Sequence, residues 1–68
     1  MSDLTEGQFR VRTKFNPDAT TDVDIIKQKT AELIDLCHKI KAKDGRLAAL
    51  AMTAYEEAAM WAVKLATA

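Results

Sequence analysis

The stretch that decides the fold is Gly45–Ala68, GRLAALAMTAYEEAAMWAVKLATA, which has apolar residues around most of a helical circumference. At about 100° per residue, one face about 100° wide is mainly polar. It carries Arg46, Thr53, Glu56, Glu57, Met60, Lys64 and Thr67. The apolar residues divide into one side with Leu47, Leu50, Ala54, Trp61 and Leu65, and another with Met52, Tyr55, Ala59, Val63 and Ala66. One packing neighbour cannot cover both sides, so the pattern predicts a helical protein that assembles with copies of itself.

The length and the cysteine content support the same interpretation. A chain of 68 residues has room for a single domain, residues 1–68, and so small a core is usually reinforced by disulfides, metal or assembly. Cys37 is the only cysteine, which excludes a disulfide within the chain. Cys37 and His38 fall short of the four ligands of a structural zinc site. Assembly is the remaining means of stabilisation, and no metal or other cofactor is expected.

Charge and hydropathy narrow the class of partner. Ten basic and ten acidic residues give a formal net charge of zero, which argues against a protein that coats DNA or RNA. The N-terminal MSDLTEGQ lacks a secretion signal, and no stretch approaches the length of a membrane span. We therefore expect a cytosolic protein without a membrane or nucleic-acid polymer as its partner. Adjacent residues on a helix diverge, so neither Cys37–His38 nor Glu56–Glu57 forms a catalytic pair, and we expect no enzyme.

A first long helix is predicted from near Thr21 to about Ala42. Thr21-Asp22-Val23-Asp24 resembles a capping box, and Asp44 in the turn Lys43–Gly45 is a candidate cap for the second helix. Residues spaced 3-4-3-4-3 form a narrow seam for one antiparallel neighbour: Val23, Ile26, Thr30, Leu33, Cys37 and Ile40. An antiparallel hairpin of two helices is the simplest tertiary arrangement.

Phe9–Phe15 alternates between apolar and basic residues, the period of an extended strand. Pro17 ends this stretch because it removes a backbone donor and biases Asn16 away from helical geometry. The predicted fold is therefore all-α, with a short extended N-terminal arm (1–17) followed by an antiparallel two-helix hairpin (18–43 and 44–68) that assembles as a homo-oligomer.

Two regions are candidate anion sites. In the arm, cations stand beside an aromatic residue, a combination that suits a ligand with both a phosphate and a base: Arg10, Arg12, Lys14 and Phe15, followed by Asn16. The alternative is that these charges are solvated while Phe9 and Phe15 pin the arm. The second region is Arg46, at a helix N-terminus that favours anions. Its alternative is an ordinary surface residue.

A family resemblance rests on two segments. Gly45–Trp61, GRLAALAMTAYEEAAMW, preceded by the arm RTKFNP at 12–17, resembles the helical-hairpin phage proteins that sponge cyclic oligonucleotides to defeat CBASS immunity. The related Thoeris anti-defence sponges share this hairpin. The resemblance extends from about Arg10 to Ala68. It implies a homo-oligomer, in the family a hexamer, that sequesters cyclic dinucleotides between subunits and in some members cyclic trinucleotides where three subunits meet.

The resemblance also implies site residues. Phe15, beside Asn16 and Pro17, corresponds to an aromatic base-stacking position that is commonly tyrosine, and phenylalanine keeps the stacking face but lacks the hydroxyl. Lys27 or Lys29 corresponds to the phosphate-binding lysine. Thr30 corresponds to a nearby threonine, and Arg46 to the arginine that faces trinucleotide phosphates. The motif residues Glu56, Glu57 and Trp61 would serve assembly. The implied setting is the cytoplasm of the infected bacterial host.

Two other classes remain open. The hairpin would also suit an oligomeric module that inhibits a host protein by direct binding, with its basic arm as the contact. A small DNA-binding protein that contacts phosphates through Arg10, Arg12 and Lys14 is a third reading, disfavoured by the zero net charge.

Overall fold

The computed structural model describes residues 4–13 and 21–68 of the chain. These residues form three α-helices: α1 (Glu6–Val11), α2 (Asp22–Lys39) and α3 (Gly45–Ala66), with a 3-10 turn at Lys41–Lys43 between the last two. The all-helical class and the hairpin are confirmed, since α2 and α3 pack extensively against each other. None of the helices in this part of the chain combines the length and hydrophobicity needed to span a bilayer.

The predicted caps fix both ends of the hairpin. The Thr21 side chain accepts the backbone N–H of Asp24 at 3.2 Å, and the Asp44 carboxylate accepts that of Leu47 at 3.0 Å. Each cap satisfies a donor that a helix leaves without a partner in its first turn. The first long helix ends at Lys39, earlier than the predicted Ala42, because the chain tightens into the 3-10 turn.

The N-terminal arm is the main correction to the prediction. Residues 9–11, expected to be extended, lie in α1. Thr5 begins this helix with a capping box: its side chain accepts the N–H of Gln8 at 3.1 Å, and its own N–H donates to the Gln8 side chain at 3.0 Å. Two reciprocal local bonds therefore outweigh the alternation of apolar and basic residues. Lys14 and Phe15, the end of the predicted strand, lie outside the described residues.

Close backbone contact holds α1 against α2. The Gly7 N–H donates to Asp35 Oδ1 at 2.7 Å across the two helices. A Cβ atom added at Gly7 would lie 2.0 Å from the Ala31 carbonyl oxygen, so only glycine fits this crossing. The helix formed by a segment that looked like a surface arm is thus an integral part of the packing.

The core lies where the three helices meet, and Ile34 is its one fully buried side chain among the described residues. Its buried members are Val11, Ala31, Ile34, Ala48, Met52 and Ala59, with Cys37 and Tyr55 packed against them. The predicted seam is wrong at Leu33 and Ile40, which are exposed. The seam assumed one neighbour for α2, whereas α2 packs against both α1 and α3 and buries the face between them.

The two apolar sides of α3 have different environments, as the sequence predicted. The side with Met52 and Ala59 faces the core. The other side, which we call the outer stripe, carries large exposed residues: Leu47, Leu50, Trp61 and Leu65. Leu65 is 77% exposed and Trp61 is 63% exposed. The Trp61 indole N–H donates to Glu57 Oε2 at 3.3 Å, which orients the ring on this surface.

Candidate functional site

A groove lies where α1 ends against the other two helices, and its volume is about 440 Å³. We call it the cationic groove. It is lined by Arg10, Val11, Arg12, Lys27, Glu56, Ala59, Met60 and Val63. Cations and apolar side chains contributed by α1, α2 and α3 therefore share one concavity, although they are distant in sequence.

Arg10 is held in this groove by two carboxylates. Its Nε donates to Glu6 Oε2 at 2.7 Å, one helical turn away, and its Nη1 donates to Glu56 Oε1 at 3.4 Å on α3. The guanidinium thus links α1 to α3 and is less available than an isolated basic residue. For Arg10, the pairing argues against the alternative in which the charges of this segment are simply solvated.

Arg12 lies at the edge of the groove with a left-handed backbone, φ 58° and ψ 50°. Its N–H caps α1 by donating to the carbonyl oxygens of Gln8 and Phe9. Lys27 lines the groove from α2 and is partly buried. Two of the predicted ligand-binding residues, Arg12 and Lys27, are therefore brought together beside Arg10.

A second concavity of about 500 Å³ adjoins the groove, and we call it the Phe9 hollow. It is lined by Leu4, Phe9, Arg10, Arg12, Thr13 and Glu56. Phe9 is 68% exposed, so the face of an aromatic ring is accessible beside two guanidinium groups. Arg10, Arg12 and Glu56 border both concavities.

Three other predicted site residues lie elsewhere. Lys29 is exposed, and its position two residues after Lys27 turns it about 200° away around the helix. The Thr30 hydroxyl donates to the Ile26 carbonyl at 2.7 Å within α2. Arg46 is exposed in the first turn of α3, about 20 Å along that helix from Ala59 at 1.5 Å per residue. Within one chain, Arg46 is therefore too far from the cationic groove to share a contact with it.

The remaining predicted residues, Phe15, Asn16 and Pro17, lie outside the described residues. In the sequence they belong to the segment that joins Thr13, at the Phe9 hollow, to Thr21, at the start of α2.

Neither the contribution of Glu56 to the groove nor the helix that positions Arg10 was predicted from the sequence. Two local signals were available: Thr5-Glu6-Gly7-Gln8 has the spacing of a capping box, and Glu6 and Arg10 have the i,i+4 spacing of a helical ion pair. The partnership between Arg10 and Glu56 spans 46 residues, and no local pattern reveals it.

The arrangement is that of a small helical protein with a concavity lined by cations and apolar side chains. Guanidinium and ammonium groups meet an apolar wall of Ala59, Met60 and Val63. Within residues 4–13 and 21–68, no three His, Cys, Asp or Glu side chains form a cluster that could hold a metal ion. The groove thus offers charge and apolar surface to a ligand of mixed character.

The family comparison agrees with this class. The profile described as "Acb2/Tad1, hairpin domain" matches residues 5–67, so the chain belongs to the Acb2/Tad1 hairpin-domain family. This is the family of anti-CBASS and anti-Thoeris sponges, and the resemblance read from the sequence is confirmed. The match begins at Thr5, the cap of α1, and therefore includes the helix that the sequence analysis described as an extended arm. Neither a curated protein nor a solved structure gives a significant match.

Proposed function

We propose that this protein sequesters cyclic di- and trinucleotide immune signals without cleaving them. Its capture of these signals would block activation of CBASS-type effectors in the cytoplasm of an infected bacterium. Family membership over residues 5–67 is the observation that carries the proposal, because a cyclic nucleotide sponge role is general to this family. Lowering the free concentration of a signal requires only tight binding and enough copies of the protein.

The cationic groove supports this proposal chemically. Arg12 and Lys27 supply positive charge for a phosphodiester, while Met60 and Val63 supply apolar surface for a sugar or base. Phe15 is proposed as the stacking residue, with Asn16 and Pro17 beside it. Arg46 is proposed as a separate phosphate contact for trinucleotides, which agrees with its distance from the groove.

We further propose that the sponge is a homo-oligomer, with the hexamer as the family's number. The outer stripe of α3 supports assembly, and so does the exposed face of α2. That face carries Ile25, Leu33, Leu36 and Ile40. Lys29 and Thr30 would contact a ligand that is bound between subunits of this assembly. Lys29 lies on the same face, so a ligand that meets it would lie between subunits.

The test is calorimetric titration with a panel of cyclic di- and trinucleotides, followed by chromatography of the released ligand. We expect saturable binding and intact ligand. No heat across the panel would overturn the proposal and favour the second candidate, an oligomeric module that inhibits a host protein by direct binding through its basic N-terminal segment.

Substitutions of lysines on α2 test where the dinucleotide binds. Lys27→Ala should weaken dinucleotide binding about tenfold or more, because it removes a cation from the groove. Lys39→Ala, the same charge change at an exposed position at the end of this helix, is the matched control and should change affinity less than about twofold. Lys29→Ala removes a cation from the opposite face and should weaken binding less than Lys27→Ala does. The reverse result would place the ligand between subunits. Arg46→Ala should weaken trinucleotide binding and leave dinucleotide binding unchanged.

A further inference from the structure

We infer that the Phe9 hollow is a base subsite that selects guanine, with Phe9 as the stacking platform and Glu56 as the acceptor for the edge of the base. This inference rests on the proposed function and adds to it a binding residue, a specificity-determining residue and a preferred base. It depends only on residues that the structure places together within one chain.

Phe9 has the exposure that a stacking platform needs. It projects from the six-residue helix α1, and the core takes Val11 from the same helix instead. An aromatic side chain beside guanidinium groups is a common surface for nucleotide bases, since every base has a π-face and the cations attract the attached phosphate. Arg12 borders the hollow and is in position to meet that phosphate.

Glu56 is the feature that distinguishes this hollow from a general anion site. A carboxylate among cations repels phosphate, so a ligand group that contacts Glu56 must donate hydrogen bonds. Its Oε1 accepts from Arg10 at 3.4 Å, which is a weak bond by length and uses one of about four lone-pair sites on the carboxylate. The side chain is 38% exposed, so the carboxylate is accessible to a ligand.

Guanine matches these groups better than adenine does. Its Watson–Crick edge presents two adjacent donors, the N1–H and the N2 amino group, which suit the two oxygens of a carboxylate. The edge of adenine presents one amino donor beside an acceptor nitrogen, which would face the carboxylate unfavourably. The Arg10 guanidinium donates to Glu56 Oε1, and both side chains line the hollow, so this contact helps to position the carboxylate there.

The experiment compares two ligands that differ in one group on each base. Cyclic di-GMP and cyclic di-IMP have the same phosphates and the same stacking surface, but hypoxanthine lacks the N2 amino group. We expect the wild-type protein to bind cyclic di-GMP about tenfold more tightly, and Glu56→Gln to reduce this ratio to less than about twofold. Glu57→Gln, one residue further along α3 and engaged with Trp61, is the matched control and should keep the ratio.

Two substitutions of Phe9 test its proposed stacking role. Phe9→Ala should weaken both ligands about tenfold, and Phe9→Trp should retain their affinity because it retains an aromatic face. Equal affinities of the wild-type protein for the two ligands would overturn the inference, as would an unchanged ratio in Glu56→Gln. Loss of oligomer mass in Phe9→Ala with unchanged ligand affinity would identify Phe9 as a subunit contact instead. Failure of the wild-type protein to bind any cyclic nucleotide would be a failure of the proposed function itself.

Discussion

The two apolar sides of α3 differ in whether their side chains are buried. The inner side, against the core, buries Ala48, Met52 and Ala59, while the outer stripe exposes leucines and a tryptophan. Two alanines on the inner side, Ala48 and Ala59, leave room for neighbouring helices to approach, and Gly7 allows a close approach where α1 meets α2. Most of the large apolar side chains of α3 therefore remain outside the core of a single chain. The comparison suggests that the buried inner contacts define the shape of the chain, whereas the exposed outer side chains are available for the proposed assembly.

The largest expected effect comes from enlarging an inner contact. Gly7→Ala would place a Cβ 2.0 Å from the Ala31 carbonyl oxygen, so one of two backbones must move. We expect the free energy of unfolding to fall by about 3 kcal/mol, as for severe overpacking. Urea denaturation followed by circular dichroism measures this loss, and hydrogen exchange should report faster opening of α1.

Gly45→Ala is the matched control for that substitution. Gly45 also lies in a helix, and an added Cβ meets nothing within 4 Å. It should be neutral or stabilise by up to about 1 kcal/mol, since alanine restricts the unfolded chain. Equal losses in both variants would mean that the close crossing of α1 and α2 contributes nothing of its own.

A second prediction tests the outer stripe. Leu50→Glu should raise the dissociation constant of the assembly at least about thirtyfold, or about 2 kcal/mol, because a charge replaces an apolar contact at the interface. Thr53→Glu, on the polar face of the same helix, should leave that constant nearly unchanged. Sedimentation equilibrium over a range of concentrations makes the measurement. A wild-type protein that stays monomeric throughout would contradict our interpretation of the stripe.

The smallest expected effect is at the ion pair that links α1 to α3. A double-mutant cycle with Arg10→Met and Glu56→Gln should give a coupling of about 0.5 kcal/mol, because both side chains are partly exposed and water screens the pair. The coupling should decrease further in about 1 M NaCl, where the Debye length is near 3 Å. A coupling above about 2 kcal/mol, insensitive to salt, would instead indicate a buried bond.

The sequence predicted those parts of the fold that depend on local chemistry. Thr21 and Asp44 are caps as predicted, because a cap and its target lie within three residues. The inner and outer sides of α3 were also separated correctly by helical periodicity. The helix α1 was missed because six residues are too few to distinguish a helical period from alternation, and its docking depends on Gly7 meeting Ala31, which is distant in sequence.

Only part of the candidate site could be predicted, because its other contacts join residues that are distant in sequence. Arg12 and Lys27 were selected by residue type and by resemblance, and the fold brings them to one groove. Their neighbour Glu56 was assigned to assembly from the family resemblance. Its link to Arg10 could not be predicted, because it exists only once α1 packs beside α3. Phe15, Asn16 and Pro17 remain predictions, since they lie outside the described residues.

At position 12, the left-handed backbone conformation favours glycine, whereas the two concavities require a cation. Glycine would close α1 at this point with about 1 kcal/mol less conformational strain than a residue that bears a side chain. Glycine would also delete a cation that borders both concavities. A protein selected for stability alone would favour glycine here, so Arg12→Gly should raise the melting temperature, and under the proposed function it should also lower the affinity for an anionic ligand.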